Sequence, residues 1–195
     1  MTKKTACWQR DGFTLRSFRK GEAEKYYQDC FTKTCEEVDY LTGTTQTFSR
    51  DDIIRYHNRV VSSSERFDFI LVAPDGRFIG EAVVNEVDTL DQSANFRIVI
   101  FDKAYWNQGL GSWMTTSVCD FVFGTVGLHR LELEVYSFNP RAQAAYEKAV
   151  FKLEGRKRES IKTKNGYADT LIMALLDKEW KALKSNKKAF YEEVS

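Results

Sequence analysis

Three strand-length segments rich in β-branched and aromatic residues follow one another at residues 66–73, 78–87 and 94–101, with only short polar turns between them. Between the first two, Pro74-Asp75-Gly76-Arg77 provides the fixed and the permissive dihedrals of a hairpin. A parallel return needs a crossover of a dozen or more residues, so linkers this short commit the three segments to an antiparallel meander. Ahead of it, residues 12–18 alternate Phe13, Leu15 and Ser17 with Thr14, Arg16 and Phe18 and read as a further strand. Two amphipathic segments intervene. Residues 22–34 contain no helix breaker, and a second helix is expected from Ser49, a hydroxyl N-cap followed by Asp51 and Asp52 in the first turn. The Thr-rich stretch 39–48 between them reads as a loop.

After Gly109 the pattern changes. A helix carrying Met114, Val118, Phe121 and Val122 on one face is followed by a strand at Arg130–Tyr136, a helix opened by Asn139-Pro140, and strands at 151–159 and 167–176. A meander joined to a β-α-β half implies an α/β mixed sheet with helices on both faces. The 195 residues, 43% of them hydrophobic, suit one core, so a single domain over 1–195 is expected, with its core at 12–176. The segment 178–195 carries five Lys against three Glu and reads as a solvated terminal helix.

Composition narrows the function classes. The 29 basic and 28 acidic residues nearly cancel, which gives no electrostatic case for nucleic-acid or membrane-surface binding. The local basic run of Arg156, Lys157, Arg158, Lys162 and Lys164 lacks any aromatic stacking pattern beside it. Apolar runs such as 69–73 fall far short of the roughly twenty residues of a membrane span. Met1-Thr2-Lys3-Lys4 leads into no hydrophobic signal core, and Cys7, Cys30, Cys35 and Cys119 show no paired spacing. A reduced, cytoplasmic chain without a metal site is the expectation.

Two segments carry chemistry. In Trp106-Asn107-Gln108-Gly109-Leu110-Gly111-Ser112, between a strand and a helix, two glycines let backbone approach a ligand while the helix N-terminus offers free N–H groups to a phosphate. The segment is neither a G-x-x-x-x-G-K-[ST] loop nor a full dinucleotide fingerprint, since Thr115 and its neighbours replace the third glycine. In the second segment Asn139 caps a helix whose Ala142, Ala145, Tyr146 and Ala149 share one face. Three alanines around one tyrosine leave a shallow channel beside the hydroxyl, or else Tyr146 packs its ring under the sheet.

Together with Asn95-Phe96-Arg97-Ile98-Val99-Ile100 and Tyr146-Glu147-Lys148 leading to Phe151, these segments resemble the GNAT superfamily of acetyl-CoA-dependent N-acetyltransferases. The likeness runs over 12–176 and is nearest to the branch of ribosomal-protein N-terminal and spermidine N-acetyltransferases. It implies that Ile98, Val99 and Ile100 lend backbone groups to the pantetheine arm and the acetyl carbonyl. It further implies that Asn107, Gln108, Gly109, Leu110, Gly111 and Ser112 hold the pyrophosphate, that Asn139 and Ala142 touch the pantetheine arm, and that Tyr146 lies near the thioester sulfur as general acid. Dimerisation is common in that family, and this chain is rich in aromatics such as Trp8, Trp113 and Trp180. A strand N–H stabilises the oxyanion of the attacked thioester, and a tyrosine hydroxyl serves the departing thiolate. Two positions depart from the family pattern. Trp106 stands where Gln or Arg is usual, and Val150 stands where Gly is usual, a β-branched residue that resists positive φ. The turn after the Tyr146 helix is therefore expected to differ.

The acceptor amine must lose a proton before it attacks. Period-two alternation puts Gly80, Ala82, Val84 and Glu86 on one face, so Glu86 is the candidate base and amine contact, with Glu81 on the other face carrying less weight. A strand bulge would exchange the two. Tyr40 and the Thr-rich loop are the candidate acceptor wall. Polyamines need several carboxylates along a cleft, and here only Glu36, Glu37 and Asp39 precede that loop, so a primary amine of a small molecule or a protein N-terminus is the broader expectation. A CoA-thioester-binding module without turnover is the alternative from another class.

Overall fold

The computed structural model describes residues 4–33 and 35–193, with side chains through residue 185. Its elements are β1 (Cys7–Arg10), β2 (Phe13–Ser17), α1 (Ala23–Cys30), α2 (Glu36–Thr42), α3 (Arg50–Ser62), β3 (Phe67–Val72), β4 (Phe78–Asp88), β5 (Ser93–Ile100), α4 (Leu110–Cys119), β6 (Arg130–Tyr136), α5 (Pro140–Lys148), β7 (Lys152–Thr163), β8 (Gly166–Leu176) and α6 (Asp177–Glu193). The strands form one eight-stranded sheet in the order β1-β2-β3-β4-β5-β6-β8-β7. Neighbours are antiparallel except β5 and β6, which the α4 crossover makes parallel.

Alternation along β3 distributes its side chains to two faces. Phe67, Phe69 and Leu71 join Met114, Val118, Phe121 and Val122 on the α4 side, while Ile70 meets Tyr26, Ile53 and Val60 from α1 and α3 on the other. The mixed sheet covered on both faces is therefore as expected. α3 begins at the expected Ser49 cap, with a reciprocal capping box to Asp52.

Four boundaries differ from expectation, each for a local reason. The sheet starts at Cys7, because Asp11 (φ 50°) and Gly12 (φ 82°) make a two-residue hairpin that pairs Arg10 with Phe13. The first helix ends at Cys30, four residues before the expected end at 34, a position outside the described residues. Part of the expected 39–48 loop is instead α2, whose acidic first turn (Glu36, Glu37, Asp39) suits the helix dipole and whose end is closed by Gly43 at φ 69°. The last two strands run longer, as an arm joined near 164–165, and Arg156, Lys157, Arg158 and Lys162 of the basic run lie on edge strand β7, with Lys164 in the turn after it. Charges on that edge discourage pairing with another sheet, and Arg156 and Lys157 are already paired with Asp169 and Glu134.

α6 is not simply a solvated tail. Trp180 stacks near Phe123 at 5.8 Å and donates its Nε1–H to Asp120 at 2.8 Å, in the π-helical turn Asp120–Val126 that continues α4.

Beneath α1 and α3, His57 is fully buried, stacked on Phe18 at 5.1 Å, and neither ring nitrogen has a partner of hydrogen-bonding geometry among the described residues. Burial pushes its pKa below the ordinary histidine value, so the folded protein holds it neutral. The unfolded chain then binds the extra proton, and stability present above pH about 6.5 is lost as pH falls through that value. Replacing His57 with Leu is expected to flatten this acid-side loss, so that wild type and variant diverge between pH 7 and 5 in thermal unfolding; parallel curves would sink the assignment. Gly80 has a different constraint, since a Cβ there would lie 2.6 Å from the Val99 carbonyl oxygen. Gly80→Ala is expected to cost about 1–3 kcal/mol in urea unfolding by forcing β4 and β5 apart.

Candidate active site

The cleft originates in the sheet. β5 pairs with β6 only through Ser93–Arg130, Ala94–Leu131 and Asn95–Glu132. Beyond Asn95, β5 stays with β4 as far as Ile100 and β6 stays with β8 as far as Tyr136, so the two strands part. The Phe101 N–H donates to the Ile79 carbonyl at 2.8 Å, and alternation from that point turns the backbone groups of Ile98 and Ile100 away from β4 into the gap. The Ile100 carbonyl is taken by the Trp106 indole N–H at 3.0 Å, which folds the following loop back over the gap.

That loop delivers α4. Asn107 (φ 61°) and Gly109 (φ 73°) both adopt left-handed conformations, and Gly109 is the N-cap. The Trp113 N–H makes the first intrahelical bond, to Gly109, which leaves the N–H groups of Leu110, Gly111 and Ser112 available to an anion. Arg10 from β1 donates to the Gly109 carbonyl at 3.2 Å, and the Arg141 guanidinium lies 3.5 Å from the centre of the Trp106 ring. The unusual Trp106 thus carries a cation on its face, supplied by α5.

α5 forms the opposite wall. Asn139 Oδ1 caps it by accepting from the Ala142 N–H at 3.1 Å, and Nδ2 donates to the Leu41 carbonyl at 3.4 Å. Tyr146 is buried, yet its hydroxyl has no protein hydrogen-bond partner among the described residues. Burial raises its pKa well above the ordinary tyrosine value, so the hydroxyl keeps its proton. The turn after Tyr146 does not differ in the way expected: Val150 adopts φ 61° despite its branching. Two bonds impose that conformation, Phe151 N–H to Tyr146 and Val150 N–H to Glu147, which together make a Schellman closure. Its hydrophobic contact is the Tyr146–Phe151 ring pair at 5.9 Å.

A cleft of about 1520 Å³ joins these walls. Ile98, Val99, Ile100, Asn107, Gly109, Leu110, Gly111, Ser112, Asn139, Ala142, Tyr146 and Glu86 all line it. Two candidates do not. The Gln108 side chain turns back to the Ala104 carbonyl at 2.8 Å, and Tyr40 stacks on Phe138 at 4.4 Å and lies outside the cleft lining. Leu41, Thr42 and Thr44 of the same stretch do reach the cleft.

Glu86 does not stand where alternation along β4 would put it. The β4–β5 register shifts between Asn85 and Asp88, and Glu86 sits in that bulge at φ 53°, so it no longer continues the row of Gly80, Ala82 and Val84. It reaches the cleft as an exposed rim carboxylate. Glu81, given less weight in the sequence, is the buried acid of the cleft. The Tyr26 hydroxyl donates to it at 2.5 Å, and burial raises its pKa above the ordinary carboxylate value, against the pull of Arg97. No periodicity rule singles out a buried Glu in an apolar strand, and its partner Tyr26 is on the buried side of α1.

A family model described as an acetyltransferase (GNAT) domain matches residues 13–152. The chain is 29% identical over 139 residues to the probable N-acetyltransferase YjcK of Bacillus subtilis (strain 168), covering 71% of this chain and 75% of that protein. It is 24% identical over 132 residues to the spermidine N(1)-acetyltransferase of Vibrio cholerae, covering 68% and 76%. Among solved structures, the Vibrio cholerae spermidine N-acetyltransferase in complex with CoA and spermine superposes with a TM-score of 0.76 at 21% identity, over 88% of this chain and 99% of that one. The ribosomal-protein-S5-alanine acetyltransferase of Vibrio fischeri gives 0.77 at 13% identity, over 90% and 98%. These two structures share the fold, and the family match, together with the named relatives, establishes that the chain belongs to the GNAT family and is an N-acetyltransferase.

Proposed function

We propose that the chain transfers the acetyl group of acetyl-CoA to a primary amine, on a small molecule or a protein N-terminus, by direct attack and without a covalent enzyme intermediate. The observation that carries this reading is the opening of the Ile98–Ile100 backbone into a gap flanked by the α4 N-terminus and the Tyr146 hydroxyl. Acetyl-CoA supplies an activated acyl carbonyl on a thiol leaving group. The residues suit it: free N–H groups at Leu110, Gly111 and Ser112 face its pyrophosphate, and Arg10 and Arg141 stand beside the same loop. A backbone N–H of the parted β5 strand stabilises the oxyanion formed on attack.

Tyr146 donates to the departing sulfur. With its pKa raised by burial the phenol is a weaker acid than a thiol, whose ordinary pKa is about 8.5, so it acts through the hydrogen bond while the proton balance closes through the acceptor nitrogen. For the incoming amine, Glu81 and Glu86 are the carboxylates in reach. We favour Glu81, because a base with a raised pKa is matched to an ammonium better than a solvated one is.

A polyamine acceptor finds less support. Of the acidic groups lining the cleft, only Asp39, buried Glu81 and rim Glu86 stand outside an ion pair among the described residues, since Asp52 is engaged by Ser49 and Arg55, Glu134 by Lys157, and nearby Glu37 by Lys103.

Tyr146→Phe is expected to lower kcat by about a hundredfold or more while the CoA dissociation constant stays within a few-fold. An unchanged kcat, or loss of CoA binding, would reassign Tyr146 to packing. The pH profile separates the two carboxylates. kcat/KM is expected to rise with pH through a step above the ordinary glutamate range, and Glu81→Gln should remove that step; its removal by Glu86→Gln instead would move the base to the rim.

A further inference from the structure

The acceptor end of the cleft holds three hydrogen-bond donors, Arg97, Tyr56 and Arg59, with no carboxylate partner among the described residues. Arg97 projects from β5 one residue before Ile98, exposed in the cleft, and donates to the Tyr56 hydroxyl at 3.2 Å. Arg66, bound to buried Asp68, donates to that same hydroxyl at 2.9 Å. Both acceptor positions of the Tyr56 oxygen are thereby filled by guanidinium N–H groups. Its own proton is then free only to be donated, and the protein presents no acceptor for it among the described residues. Arg59, one turn further along α3, lies 5.8 Å from the Tyr56 ring centre and lines the cleft as well.

Neither Arg59 nor Arg97 forms an ion pair with any described residue. The nearest buried acid, Glu81, attracts Arg97 across the face they share but is bound by Tyr26 rather than by a guanidinium. Most of the other exposed arginines are paired, as Arg50 is with Glu24 and Arg55 with Asp52. Two guanidinium groups without an ion pair, one held by the Tyr56 hydroxyl and one beside its ring, together with the hydroxyl proton itself, match a planar two-oxygen anion.

We infer that Arg97, Tyr56 and Arg59 form a carboxylate subsite, so that the acceptor is an amine that also bears a carboxylate, as in a free amino acid, and not a polycation. The inference rests on the acetyl-transfer reading above and assigns its substrate class. Held there, the carboxylate leaves the amine, two bonds away in an α-amino acid, directed toward the Ile98–Ile100 gap. The same cations repel spermidine, whose ammonium groups need acids along the wall.

The test uses the full chain. CoA release from acetyl-CoA is followed with the twenty L-amino acids, their α-carboxamides and spermidine, and the same compounds are titrated by calorimetry onto the CoA-loaded protein. At least one free amino acid is expected to be acetylated with kcat/KM about tenfold or more above that of its carboxamide. Arg97→Gln should erase that ratio, and Tyr56→Phe should reduce it, with thermal unfolding reporting that each variant is folded. A carboxamide or spermidine acetylated as well as any free amino acid overturns the subsite, as does a ratio that survives Arg97→Gln. Silence of every amine in the release assay counts against acetyl transfer itself, and calorimetry then decides the subsite alone: Arg97-dependent binding of a free amino acid sustains it, and absence of such binding overturns it.

Discussion

The candidate site depends on two neighbouring strands that stop pairing. A parallel ladder would ordinarily satisfy the backbone groups of β5 along its length, yet after Asn95 they are left to whatever enters between the strands. The rest of the fold makes this tolerable. β5 remains bonded to β4 on its other side, β6 to β8, and the Trp106 indole satisfies the carbonyl at the far end of the gap. The cost of unpaired groups is thereby confined to a few residues, which are the ones that line the cleft.

The walls of the gap are linked as well as adjacent. α2 touches the β6–α5 corner three times: Gly43 lies against Tyr136 so closely that a Cβ would fall 2.3 Å from its hydroxyl, Tyr40 stacks on Phe138, and Asn139 reaches the Leu41 carbonyl. The helix that borders the acceptor end is therefore seated on the residue that caps the helix of Tyr146. Tyr146 is in turn fixed by the closure through Val150 and Phe151, so its ring has little freedom in the wall.

Much of this was legible in the sequence because period and punctuation carry it. The meander, the helix with Met114 and Val118, the Gly109 loop and the Asn139 cap follow from spacing, and the residues of the loop and the capped helix converge on one cleft, Gln108 excepted. The misses have definite causes. Asp11-Gly12 is a strong hairpin signal, but the strand before it is four residues long and mostly exposed. The Thr-rich composition near 40–48 hid a short helix held by its glycine cap. The β4 bulge broke the period on which Glu86 had been chosen, and Glu81 was hidden because its partners come from α1 and β5, distant in sequence. At Val150 tertiary hydrogen bonds overrode a local steric preference, as they can when both neighbours of the turn are already fixed.

The docking of Trp180 bears on where the working unit can be cut. Among the described residues every strand and every cleft-lining residue lies before Asp177, so a boundary drawn from the site alone falls at the end of β8. Removing α6 strips the indole from Phe123 and Gly124 and leaves Asp120 without either the Trp180 N–H or the Lys184 ammonium that hold its two oxygens. The π-helical turn that carries the chain from α4 to β6 would then face water along its apolar side, so a trimmed version trades a shorter chain for a sticky, loosened back.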